Sequence, residues 1–248
     1  MWKKGLFGIG CVLVFAVSVV VHAPASLLRL APLPDAVRIG AIDGTVWQGE
    51  IAQIRWQDYT LGPIQWDVQW HRLVTGATLE AAVKVRSPEG LRGKGSLGFN
   101  GSALTVSQAL VSAPARMLTG TIALPPGVAI DGTLDLVLRE AIFAESGCQQ
   151  LEGQIQWQHA ALQLPMGQLE NIPAQAVLSC ENQGIAAQGE GQSASLSNKF
   201  SLSITPSGRY SVSGWLKPGA DYPEPMKAPL SWLGTPDNQG RYRFSFRG

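Results

Sequence analysis

Charge and histidine are what this sequence has least of. Lys, Arg, Asp and Glu make up 15% of its 248 residues, and 19 cations against 18 anions leave a formal net charge of +1. That balance gives no electrostatic reason to expect nucleic acid or another acidic polymer as a partner. The three histidines, His22, His71 and His159, lack the short fixed spacing of a metal site and read as sheet-surface residues. No serine occupies a G-x-S-x-G elbow. Gly93-Lys-Gly-Ser-Leu-Gly98 satisfies G-x-G-x-x-G, but a dinucleotide fingerprint needs a helix after it, and Phe99-Asn-Gly101 opens a turn. Asp43 and Asp131 are conceivable as a catalytic carboxylate pair, yet each heads an Asp-Gly turn, which explains both more simply. No catalytic, cofactor-binding or metal-ligating residue is assigned, and the chain reads as a non-enzyme that needs no cofactor.

Cysteine is sparse too, and its three copies are of two kinds. Cys11 lies in an apolar segment and behaves there as a small hydrophobe. Cys148 and Cys180 lie 32 residues apart in polar-alternating sequence. In an oxidising compartment they are the obvious disulfide pair, worth roughly 3–4 kcal/mol by loop closure; otherwise they are two unrelated buried thiols.

Helix-length apolar patterns are nearly absent after residue 30. Before that, Lys3 and Lys4 precede an uncharged, mostly apolar run from Gly5 to Val21. These residues would rise about 25 Å as a helix, just short of a hydrocarbon core. Two readings compete. A signal peptide would be cleaved near Ala23-Pro-Ala25. A retained single-pass anchor, favoured by the length of the run and by Leu27, Leu28 and Leu30, keeps the N-terminus cytoplasmic by the positive-inside rule. Either reading puts the remaining chain outside the cytoplasm and divides it into an anchor, 1–30, and a β-rich body, 31–248.

That body is written in strands. Its 28 glycines and 16 prolines recur every ten residues or so, as in many short strands joined by turns. Ala52, Ile54 and Trp56 alternate with polar residues, as do Ile64, Trp66, Val68 and Trp70, with Leu61-Gly-Pro63 between. Period two means one dry and one wet face, here expected as an antiparallel pair. Leu79 to Val85, Leu134 to Leu138, Ala176 to Cys180, Phe200 to Ile204 and Tyr242 to Phe246 repeat the beat. Ser107 to Leu118 has room for one helical turn, as does Pro229 to Gly234, while proline-rich Lys217 to Pro229 is expected to be an extended loop. About a dozen amphipathic strands with almost no helix to cover them must curl, fold over, or accept a partner or lipid.

Ile130-Asp-Gly-Thr133 echoes Ile42-Asp-Gly-Thr45 at an offset of 88, and Gly153 to Trp157 echoes Gly62 to Trp66 at 91. The pattern suggests two similar halves, near 31–127 and 128–248. Trp56, Trp66, Trp70 and Trp157 are the candidate apolar face. Stacked together they would grip a sugar or lipid chain; core packing is the plainer account.

With these residues in view the chain resembles the type II secretion system protein N family. The likeness rests on the N-terminal anchor, Leu33-Pro34 followed by Val37 to Ile42, the signature Gly44-Thr45-Val-Trp47-Gln-Gly49, Trp66 and Trp70. Cys148, Cys180 and the closing strand after Leu233-Gly234 complete it. It implies a non-enzymatic accessory of the inner membrane, with a periplasmic β-body, that assists export of folded proteins across the outer membrane. The implied partners are other type II secretion components and the inner membrane. The implied fold is similar to the AsmA-like group of curved β-groove proteins, and with it comes an alternative role, binding or transferring lipid in the periplasm.

Overall fold

The computed structural model describes residues 2–30, 37–56, 59–70, 78–120 and 126–248, with backbone alone for 2–10, 13, 30, 56 and 118–120. The chain starts in one helix, α1 (Trp2–Val21), followed by a 3-10 turn over Ala25–Leu30. Among the described residues no helix is long and apolar enough to cross a membrane. The spanning helix expected within residues 1–30 is therefore not supported. Lys3, Lys4, Gly5, Gly8 and Gly10, five of its 20 residues, all fall in the first half of α1, and a span takes about 20 predominantly apolar residues. Val12, Val14, Phe15, Val17 and Val19 to Val21 are all more than half exposed, so the second half of α1 presents an uncovered apolar surface.

Beyond α1 the described residues are mostly strand. β1 (Val37–Ile39), β4 (Ile54–Trp56) and β5 (Tyr59–Leu61) form a small antiparallel sheet. A 14-stranded sheet takes the rest. Its first half is β2 (Ile42–Gly44), β3 (Gln48–Ile51), β6 (Ile64–Val68), β7 (Leu79–Arg86), β8 (Arg92–Phe99) and β9 (Ala103–Pro114). Its second half is β10 (Ala129–Ala144), β11 (Gly147–Leu164), β13 (Ala174–Glu181), β14 (Gly184–Gln192), β15 (Leu196–Ile204), β16 (Tyr210–Pro218) and β17 (Tyr242–Arg247). Short β12 (Gly167–Leu169) pairs with the end of β11. The order across the sheet follows the sequence from β2 to β17, all antiparallel. β9 and β10 pair over most of their length, so the sheet is continuous where the two sequence halves meet.

The period-two patterns become the two faces. Leu134, Leu136 and Leu138 stand opposite Trp157, Ile155 and Gly153, and the row continues through Ala176 and Leu178 to Leu202, Val212 and Phe246. Gln154, Gln156, Gln175 and Gln188 line the other face and are exposed. Bulges at Asp131/Thr133, Leu138/Glu140 and Lys94/Ser96 bend and twist the strands. Few large side chains are deeply buried; among the described residues none has less than 2% exposure.

Two clusters hold the sheet. Around the start of β11, Ala141, Cys148 and Leu151 are buried with Phe143, Leu178 and Ile185 against them. At the opposite end, Leu169, Leu196, Tyr222, Met226 and Leu230 form the larger cluster. The extended loop expected over Lys217 to Pro229 instead folds inward. Its apolar residues recur at 222, 226 and 230, and 3-10 turns over Glu224–Met226 and Ala228–Leu233 bring them onto Leu162, Leu164 and Leu216. Burial in that setting, with Tyr242 nearby, raises the Tyr222 phenol pKa.

One other expectation changes and one is narrowed. The runs ending in Trp56 and Trp70 do not pair with each other: β4 pairs with β1 and β5, whereas β6 pairs with β3 and β7. Only two residues separate Trp56 from Tyr59, the shortest connection a hairpin takes, so the local partner wins. Ser107 to Leu118 is strand as far as Pro114 and turns 3-10 only over Ala115–Gly120. His71 and the Leu33-Pro34 pair lie outside the described residues.

Candidate functional site

The signature Gly44-Thr-Val-Trp-Gln-Gly49 is the turn between β2 and β3. The Thr45 N–H donates to the Gln48 carbonyl at 2.8 Å, and the Gln48 N–H donates to Thr45 Oγ1 at 3.2 Å. Gly44 sits at φ +95°, where other residues are strained. A Cβ on Gly49 would come within 2.5 Å of the Asp43 carbonyl oxygen and the Trp66 ring, so only glycine lets Trp66 lie flat across it. The Trp66 indole then donates to the Val46 carbonyl at 3.2 Å.

Trp47 turns the other way. Its indole N–H donates at 2.8 Å to the carbonyl of Val20, one of the last acceptors of the helix, which also takes the Ala23 N–H at 3.3 Å. The Val46 N–H donates to the Ala23 carbonyl at 3.0 Å, and Pro24 bridges to Thr45. Gly44, Thr45, Trp47 and Gly49 thus build a clasp that fixes the end of α1 to the β2 edge.

Cys148 and Cys180 are joined in a disulfide with Cα atoms 5.6 Å apart, tying the start of β11 to the end of β13. Cys11 is free and exposed.

The tryptophans are not gathered. Trp66 and Trp157 share a face of the large sheet with four strands between them, about 24 Å at ordinary strand spacing. Trp56 lies on β4 in the small sheet, and Trp70 lies beyond the end of β6 with 64% exposure. The strand that would have carried Trp70 alongside Trp66 stops at Val68. The Trp157 indole donates to the Asp131 carbonyl at 2.8 Å.

The apolar face is most open at one end. Leu79, Phe99, Leu104, Ile204, Tyr210 and Phe246, near the strand ends on that side, are 38–56% exposed. The antiparallel order puts Gly44 and Trp47, and so the end of α1, at that same end.

Titratable groups are dispersed. Asp43 and Asp131 are six strand spacings apart, about 29 Å, and Asp131 Oδ1 accepts the Gly132 N–H at 2.7 Å. His22 bonds the Ser18 carbonyl through Nδ1 at 2.9 Å, and His159 is exposed in a left-handed backbone. Among the described residues no three His, Cys, Asp or Glu are grouped to hold a metal ion.

One cluster escaped the sequence reading. Asp237 Oδ2 lies 2.8 Å from an Arg241 nitrogen and 3.3 Å from one of Arg243, while Oδ1 accepts the Gln239 and Arg241 N–H groups. Partial burial pushes this carboxyl up, but the two backbone donors and the Arg241 guanidinium outweigh it and hold it at about 2. The available signal was Asp237 four residues before Arg241 across the Gly240 turn.

A wide antiparallel sheet with a helix clasped to one edge, whose charged groups among the described residues are spread and not convergent, places the chain in the class of large antiparallel β-sheet proteins. The chain is a member of the type II secretion system protein N family, whose model matches residues 35–245. It is 38% identical to type II secretion system protein N of Vibrio cholerae over 95% of this chain and 94% of that one. The Pectobacterium carotovorum protein of the same name is 31% identical over 99% and 98%, and that of Klebsiella pneumoniae 33% over 91% and 88%. No solved structure matches.

Proposed function

We propose that this chain is a non-enzymatic accessory component of the type II secretion system, with its sheet in the periplasm and its N-terminal segment at the inner membrane. The observation that carries the reading is the family match across nearly the whole sheet, residues 35–245. The disulfide suits an oxidising compartment. The uncovered apolar half of α1 suits the membrane interface, and the Trp47 clasp would set the sheet at a fixed angle to it. The echo of Ile42 to Thr45 in Ile130 to Thr133 is read as a duplicated half-sheet. It is supported by positive φ at both Gly44 and Gly132.

In a strain lacking the gene, the full chain is expected to restore export of a secreted enzyme into the medium and to co-purify with secretion components from solubilised inner membrane. Unchanged export in the deletion strain, or a free monomer in every fraction, removes the reading. Flotation on a density gradient tests the membrane arm: the chain should rise with inner-membrane vesicles, and recovery in the soluble fraction alone removes that arm.

A second reading, lipid held on the apolar face, is favoured by the exposed Leu79, Phe99, Leu104, Ile204, Tyr210 and Phe246 at the end where α1 attaches. Mass spectrometry of the gently purified protein decides it; bound lipid upholds this reading and lipid-free protein ends it.

A further inference from the structure

We infer that the outer edge of β17 is a docking strand, which takes up an extended acidic segment of another protein as one more strand of the large sheet. The inference rests on the secretion reading for its setting and names the kind of partner.

Backbone bonding identifies the open groups. Gly248 and Tyr210 exchange both hydrogen bonds, N–H to carbonyl at 3.0 and 2.9 Å. An antiparallel ladder alternates, so Phe246, Phe244 and Tyr242 also bond inward to β16, and Arg247, Ser245 and Arg243 aim their N–H and C=O groups outward. Arg241, the next outward residue, is already satisfied. Its N–H donates to Asp237 Oδ1 at 3.1 Å, and its carbonyl accepts the Asp237 N–H at 2.9 Å. The Asp237 loop therefore closes the start of the edge and, among the described residues, leaves three ready to pair.

Side chains choose the occupant. Arg243, Ser245 and Arg247 share one face, with Arg243 69% exposed; Tyr242, Phe244 and Phe246 share the other, where the Phe244 and Phe246 rings stack 6.0 Å apart. One carboxylate serves Arg241 and Arg243 together, and Arg247 is four residues, about 13 Å, beyond Arg243. A second copy pairing antiparallel through this edge about Ser245 would set Arg243 against Arg247 twice. Like charges directly opposite are destabilising, which disfavours self-pairing. The same geometry favours a strand with acidic residues at positions j and j+4 and apolar residues at j+1 and j+3.

The test uses the full chain and a labelled peptide with the core Glu-Val-Thr-Val-Glu, beside a companion in which both Glu are Lys. The acidic peptide should bind about tenfold tighter or better and slow amide exchange at Arg243, Ser245 and Arg247. Ser245→Pro removes an outward N–H without breaking the β16 ladder; it should abolish binding while amide protection in β16 is unchanged. Arg243→Glu with Arg247→Glu should reverse the preference between the peptides. Equal binding of the two peptides, binding that survives Ser245→Pro, or a dimer that Ser245→Pro dissolves would each overturn the inference. The peptide assay needs no secretion machinery, so its failure is distinguishable from failure to restore export.

Discussion

β2 and β17 both end the large sheet, yet among the described residues one is covered and the other is bare. β2 is three residues long and is met by Pro24, the Val46–Ala23 hydrogen bond and the Trp47 indole on Val20. β17 is twice as long, and among the described residues its cover is the Asp237 loop on Arg241, just before the strand begins. The covering on the first edge is also the attachment of α1, so this side is spent on holding the sheet in place. Arginines guard the second side, where they repel copies of the same strand and admit an acidic one. An edge strand's role is thus read from what satisfies its outward amides, more than from its length.

The comparison can be broken or sharpened by substitution. The largest effect is expected midway between the edges. Replacing Cys148 and Cys180 by Ala should cost about 3–4 kcal/mol in urea unfolding under oxidising conditions, from loss of loop closure. If both edges lose amide protection together, the sheet is one cooperative unit; if only β11 to β14 loosen, the edges are independent. Gly49→Val should cost about 1–3 kcal/mol, because the new side chain collides with the Asp43 carbonyl and Trp66. Amide exchange should rise in β2 and β3 and stay unchanged in β17. Trp47→Phe deletes the bond to Val20 at about 1 kcal/mol, and limited proteolysis between α1 and β2 should accelerate while the sheet melts almost as before.

The smallest effect belongs to Asp237→Asn at the bare edge. The folded carboxyl titrates near 2 against an ordinary 3.8. Its stabilisation is therefore complete above about pH 4 and is lost as pH falls through 2. The variant should melt slightly below the native chain at pH 6, and the two melting curves should converge as pH falls below 2.

Much of this architecture is legible because alternation is local. Leu134 to Leu138, Ala176 to Cys180, Phe200 to Ile204 and Tyr242 to Phe246 are strands with the faces their spacing implies. The short helical turn before Gly234 is legible too. Pairing is not, since period two says which face a residue takes and nothing about its neighbour. Alternation alone matches β4 to β6, when β5 lies two residues away. Nor does alternation say where a strand stops, so it groups Trp70 with Trp66 although β6 ends at Val68. In Lys217 to Pro229, proline content conceals the inward side chains of Tyr222 and Met226. Of the candidate site, the signature residues are visible as a motif, but their use as a clasp depends on a contact 27 residues back, at Val20.

Because the strands of the large sheet lie side by side in the order they are written, each one's main template is the strand of that sheet written before it. A chain of this kind has low contact order for a β protein. Synthesised N-terminus first, it can grow like a row of laid planks, every plank seated before its successor arrives. Closing the Cys148–Cys180 bond would then lock the middle of the row while the last strands are still to come.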